Sequence, residues 1–122
     1  MERGNELKER TRCFALNVIT FCRTLPATSE ARRLGDQLFR AATAVAANYR
    51  AVCRARSRAD FIAKLGVVIE EADESKLWLD LLTQTKIAPP DRTQALMTEA
   101  HELVAIFTAS QKTARSNRNA EY

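Results

Sequence analysis

The stretch LGDQLFRAATAVAANYRAV, residues 34–52, decides the fold. Within it Leu34, Leu38, Ala41, Val45, Tyr49 and Val52 recur at steps of three and four, which lines them up on one face of an α-helix. Upstream, Thr28 or Ser29 can cap that helix, and Glu30 suits its positive N-terminal end. Before the cap, Pro26 stops an earlier segment in which Leu7, Thr11, Phe14, Val18, Phe21 and Leu25 form a similar stripe.

Downstream, Ser57 and Asp60 make a shortened capping box, so a third helix starts near Arg58 after a very tight connection. Its stripe is Phe61, Leu65, Val68, Ala72, Leu79 and Leu82, running to about Thr85 before Ala88, Pro89 and Pro90 break it. Leu96, Ala100, Leu103 and Phe107 mark a fourth helix. Short connectors between long helices predict an all-α, up-down-up-down four-helix bundle.

Length and composition agree. The 122 residues fit one domain, residues 1–122, and three Gly with three Pro leave few turns for a β-sandwich or a Rossmann-type sheet. The bundle core is expected over about residues 5–111. The tail from Lys112 to Tyr122 has almost no apolar residue and is expected to fray. The longest apolar stretch, Cys13 to Cys22, is about half of the roughly 20 residues that span a bilayer. Glu2, Glu6 and Glu9 also spoil a secretory leader, so neither a membrane nor export is expected. Cys13, Cys22 and Cys53 form no CxxC, and are expected to be reduced, mostly buried hydrophobes of a cytoplasmic protein.

Candidates for chemistry are few. His101 is the sole histidine, and Thr98 stands where a Glu-x-x-His metal pair would need its carboxylate. Glu70, Glu71, Asp73 and Glu74 lie on one helix, which is not enough to surround an ion, so pairing with arginine is the expected role. Gly35 and Gly66 stand in helical patterns and suit close helix approach. No catalytic residue, metal or cofactor is expected.

The third helix carries a second stripe, Val67, Glu71, Glu74, Trp78 and Leu81. Leu16, Ile19 and Cys22 likewise flank the first helix's seam. Either the core boundary is generous or a homo-oligomeric interface covers these faces.

Charge is more informative. The net charge is +4, yet Arg32 to Lys64 holds eight basic residues against Asp36 and Asp60, whereas Glu70 to Asp80 holds five acidic residues against Lys76. Arg50, Arg54, Arg56, Arg58 and Lys64 converge on the tip between the second and third helices, where free N–H groups at the third helix's start would suit phosphate. Stabilising the second helix's C-terminal dipole is an equally good use of these arginines. With only Tyr49 and Phe61 nearby, base stacking is poorly supported, so contact with RNA or DNA would be to the backbone.

The segments Leu34 to Ala42, Val45 to Asn48 and Arg56 to Ile62 together resemble the bacterial four-helix-bundle proteins named after intervening sequences in 23S ribosomal RNA. In that family Leu-x-x-Gln-Leu-x-Arg-Ala precedes an Asn-Ile-Ala-Glu-Gly turn, an Arg-x-Ser and an Asp/Glu-Phe pair. Gln37, Leu38, Arg40, Asn48, Ser57, Asp60 and Phe61 match, while Tyr49, Arg50, Ala51 and Val52 replace the turn, as in a divergent branch with an unbroken, arginine-rich helix end.

The resemblance implies a cytoplasmic homopentamer without enzymatic activity. A related accessory variability protein of diversity-generating retroelements, a basic pentamer that binds nucleic acid and a reverse transcriptase, extends this to RNA binding. The expected function is a non-enzymatic, oligomeric, nucleic-acid-binding accessory protein. The alternative is an interaction scaffold whose basic end holds an acidic or nucleic-acid-associated protein.

Overall fold

A computed structural model describes residues 2–117. They form four helices and no strand: α1 Glu2–Cys22, α2 Ser29–Val52, α3 Arg58–Gln84 and α4 Pro90–Ser116. Each helix packs on its neighbours in the chain, and α1 also touches α4 along a thinner seam. One apolar core runs through all four. Phe14, Val18, Leu38, Val45, Leu65, Val68, Leu79, Leu103 and Phe107 are fully buried in it, so the main stripe of each helix faces inward, with Leu25, Leu34 and Phe61 half-buried at its margins.

The helix starts have identifiable causes. The Thr28 hydroxyl accepts the Ala31 N–H at 3.2 Å, so Thr28 and not Ser29 is the cap of α2. The Ser57 hydroxyl accepts the Asp60 N–H at 3.0 Å and sets the start of α3. Pro90 both ends the preceding connection and opens α4, where its missing N–H costs nothing. The buried hydroxyls of Thr11 and Ser75 donate to the carbonyls of Lys8 and Glu71, and the Thr83 and Thr93 hydroxyls bond each other at 2.8 Å across α3 and α4.

Three expectations are corrected. The tail is helical as far as Ser116, because Ala114 is buried and its carbonyl accepts from Arg58 at 3.3 Å, which docks the last turn of α4 on the start of α3. The rest of that tail, residues 118–122, lies outside the described residues. Cys13 and Cys53 are exposed and Cys22 is half-buried, so only Cys22 approaches the expected hydrophobic role; all three thiols are free. Finally, Gly66 does open a close approach between helices, since a Cβ there would meet the Gln111 side chain of α4 at 3.3 Å, but Gly35 makes room for Leu25 of the α1–α2 connector.

Lys86, just after α3, sits at φ 63°. A side chain in this left-handed region crowds its own backbone, at about 1–2 kcal/mol, which glycine avoids. Glycine also loosens the unfolded chain, so Lys86→Gly is expected to raise stability by a net of about 0.5–1 kcal/mol in urea unfolding.

Candidate nucleic-acid interface

The last turn of α2 is pinned by Tyr49 and Val52, both buried, which leaves Arg50 in solvent. The Tyr49 ring stacks on Phe107 of α4 with centroids 5.2 Å apart. These two apolar residues carry α2 unbroken to Val52, as the arginine-rich helix end predicts. The connector then presents Arg54 and Arg56 to water. Among the described residues no carboxylate lies within ion-pair distance of the Arg50, Arg54 or Arg56 guanidinium.

The other two members of the expected basic set are engaged. Arg58 is half-buried and donates to the Ala114 carbonyl, while Lys64 reaches the Asp60 carboxylate at 2.9 Å. Asp60 also accepts the Arg56 backbone N–H at 3.1 Å. Lys64 first, then this N–H, hold the Asp60 carboxyl below the usual carboxylate range. The expected open phosphate seat at the start of α3 is therefore corrected: Ser57 and Asp60 already satisfy N–H groups there, and Asp60 brings a negative charge. The positive charge that this tip presents to water is that of Arg50, Arg54 and Arg56.

The structure adds what sequence spacing missed, the start of α1. Arg3 and Lys8 arrive beside Tyr49 and Phe61, where two cavities meet. One, of about 240 Å³, is lined by Gly4, Asn5, Lys8, Tyr49, Cys53 and Phe61 among others. The second, of about 680 Å³, shares Gly4, Tyr49 and Phe61 and extends between α1 and α4 past Arg3, Leu7 and Ile106. Burial, then the neighbouring Cys53 thiol, push the Tyr49 hydroxyl up to about 12, against the opposing pull of Arg3, so it stays a neutral donor.

The second stripe of α3 lies on a different face. Arg40 of α2 reaches over to both Glu71, at 3.3 Å, and Glu74, and the Trp78 indole N–H donates to Glu74 at 3.1 Å. The acidic cluster thus pairs with arginine as expected, through Glu71 and Glu74, whereas Glu70 is exposed. Burial raises the Glu71 carboxyl above its ordinary value. For Glu74 burial acts upward too, but hydrogen bonds from Arg40 and Trp78 prevail and bring it below. Trp78 and Leu81 are half-buried, Trp78 against the core, while Val67 and Leu77 are exposed. The sequence signalled Val67 here and missed Leu77.

Elsewhere, Arg10 clasps Glu99 with two hydrogen bonds and adds Glu102, tying α1 to α4. His101 is exposed and its Nδ1 accepts from the Lys76 ammonium at 3.3 Å. Among the described residues no group of three His, Cys, Asp or Glu side chains is placed to hold a metal ion, and no helix is long and apolar enough to cross a membrane.

The family signature described as 23S rRNA-intervening sequence protein matches residues 3–109, from the start of α1 through the α2–α3 tip and into α4. The chain belongs to that family. A crystal structure of a protein with unknown function from the S23 ribosomal protein family of Bacteroides thetaiotaomicron is 27% identical, with a TM-score of 0.80. The match covers 89% of this chain and 97% of that one. No curated protein matches significantly. In this chain, two residues of the Gln-Leu-x-Arg pattern have a visible use: Gln37 accepts from Arg40 at 3.5 Å, and Arg40 carries the ion pairs to α3. Asn48, from the altered turn, donates to the Ala44 carbonyl within its own helix.

Proposed function

We propose that this chain is a non-enzymatic accessory protein that assembles into a closed homo-oligomeric ring and holds RNA or DNA by its phosphates at the α2–α3 tip. The observation that carries the reading is the trio Arg50, Arg54 and Arg56, exposed on one tip with no carboxylate within ion-pair distance among the described residues, although the Asp60 carboxylate lies close enough to feel Arg56. Cations left unpaired by their own fold are available to displace counterions from a polyanion. No cofactor enters this function, and free, exposed thiols fit the reducing cytoplasm.

Each protomer is taken as an up-down-up-down bundle. Arg58 with Ala114, Gln111 with Ile62 and Thr83 with Thr93 join the start of α3 to the end of α4 and the reverse, as antiparallel neighbours do. The Val67, Glu71, Glu74, Trp78 and Leu81 face, with Leu77 beside it, is the proposed contact between subunits. Five subunits follow from the family resemblance. A ring repeats the basic tip once per subunit and so concentrates its charge.

The test is affinity for labelled single-stranded and duplex RNA and DNA across a salt series, for the parent and for an Arg50→Ala, Arg54→Ala, Arg56→Ala variant. Arg58 is left in place because it docks the end of α4. The variant is expected to bind more weakly, with a salt slope lower by about 2–3 for every engaged subunit and little change in sequence preference. Equal affinity and equal slope would return these arginines to dipole stabilisation. A stoichiometric, shape-dependent complex with an acidic protein at the same tip would favour the scaffold alternative.

A further inference from the structure

A closed ring of more than two subunits repeats a head-to-tail contact in which two different surfaces meet, whereas a two-fold contact pairs one surface with itself. The α3 face is poorly suited to meeting its own copy. Glu70, Asp73, Glu74 and Asp80 surround its Val67, Leu77 and Leu81, and like charges across a contact repel. Glu70 and Asp80 are exposed and form no ion pair among the described residues.

A surface of the opposite character lies over α1 and α2. On α1, Lys8, Arg12, Leu16, Ile19 and Arg23 follow at steps of four, four, three and four, and Lys8 shares a cavity with Tyr49 and Val52, so this stripe turns toward α2. On α2, Arg32, Asp36, Phe39 and Thr43 follow at steps of four, three and four. The first three share a cavity with Cys22, so that stripe turns back toward α1. Leu16 and Phe39 are exposed in the middle of this surface, and neither is packed on the core. Arg23 and Arg32 are exposed at its edge with no ion pair among the described residues, while Arg12 holds Glu9 at 3.0 Å. Its other carboxylate is Asp36.

We propose that the α1–α2 face of one copy seats on the α3 face of the next, around an axis that runs along the bundles. This pairing rests on the ring reading given above and supplies its second surface. Rotation about such an axis keeps every residue at its own height, so residues of equal height meet. Arg40 reaching Glu71 and Glu74 sets α2 level with α3, and the Cys22 thiol donating to the Gly35 carbonyl at 3.7 Å sets α1 level with α2.

Arg32 stands eight residues before Arg40, about 12 Å along the helix, and on an antiparallel α3 that is the height of Asp80. Arg23, next to Cys22, comes within one turn of the same height. Leu16 and Phe39 fall between Val67 and Leu77. The two apolar centres thus face each other, and arginines without an ion pair stand opposite a carboxylate without one. The same rotation brings every α2–α3 tip to one rim of the ring.

The test mixes two variants of the full-length protein, each disabled on one face: Leu16→Glu with Phe39→Glu, and Leu77→Glu. All three side chains are exposed, so both proteins should fold, which circular dichroism checks. Neither should assemble alone in light scattering at high micromolar concentration. Their equimolar mixture should give a dimer of one of each, because the first keeps its α3 face and the second keeps its α1–α2 face. A Leu16→Glu, Phe39→Glu protein that retains the parent's oligomer, or that dimerises by itself, overturns the pairing and leaves a ring built from other surfaces. A mixture that stays protomeric overturns it too.

A second arm exchanges charge within the intact ring. Arg32→Glu and Asp80→Arg should each raise the concentration for half-assembly by about tenfold or more, and the two together should bring it back to within about threefold of the parent. A double variant no better than either single change overturns the pairing. A parent that is strictly monomeric removes the ring reading itself, and this contact with it.

Discussion

Phe107→Ala is expected to lower the stability of the fold by about 3–5 kcal/mol, the range for deleting a buried aromatic side chain. Phe107 is fully buried, and its ring lies 5.2 Å from that of Tyr49 at 28°, so one side chain joins α4 to the last turn of α2. Removing it leaves a cavity that the rigid helices around it close only in part. Small domains have about 5–15 kcal/mol in total, so the variant should unfold at much lower urea or not accumulate. Val45 and Leu103, both fully buried, provide smaller deletions of the same kind for calibration.

The Tyr49 contact can be separated from the cavity. Tyr49→Leu alone and together with Phe107→Leu makes a double-mutant cycle in which an aromatic pair is worth about 0.5–1.5 kcal/mol beyond burial. Equilibrium unfolding of the four proteins gives the coupling directly. A coupling near zero would mean that the two rings are merely adjacent, and that burial alone holds the α2 end in place. The same cycle bears on the basic tip, because Tyr49 lines both cavities there.

The fold was legible because its causes are local. Stripes such as Leu38, Val45 and Val52 need only the 3.6-residue period, and the caps at Thr28 and Ser57 act within four residues. Two of the misses have their physical origin in contacts between distant residues. Arg58 to Ala114, which keeps the end of α4 helical, spans most of two helices, and no composition rule sees it. The arrival of Arg3 and Lys8 at the basic tip depends on how α1 lies against the end of α2, which charge counting along the chain does not reach. Asp60 illustrates the opposite case. Its capping role was visible in sequence, yet the same carboxylate fills part of the anion site that the helix start was expected to leave open.

Trp78→Glu is expected to dissociate the proposed ring into protomers that keep their helix content. Trp78 is half-buried, packs against the core on one side, and donates its indole N–H to Glu74, so its outer part stands on the face where Val67 is 42% and Leu77 49% exposed. A carboxylate placed four residues after Glu74 would lose that hydrogen bond and add like-charge repulsion within the Arg40, Glu71 and Glu74 network. In a subunit contact the new charge would also be buried without a partner, which is far costlier than on an open surface.

Because the inner side of Trp78 touches the core, the substitution should weaken the protomer as well. Leu77→Glu separates the two effects. Leu77 follows Glu74 by three residues and precedes Leu81 by four, which puts it on the same outward side, and it is not among the residues packed on the core. Light scattering at micromolar concentration should show an oligomer for the parent and protomers for both variants, with circular dichroism nearly unchanged for Leu77→Glu. A parent that is strictly monomeric would end the ring reading. A parent oligomer that survives both substitutions would move the subunit contact elsewhere, with Leu16 of α1 and Phe39 of α2, 46% and 44% exposed, the next apolar side chains to charge.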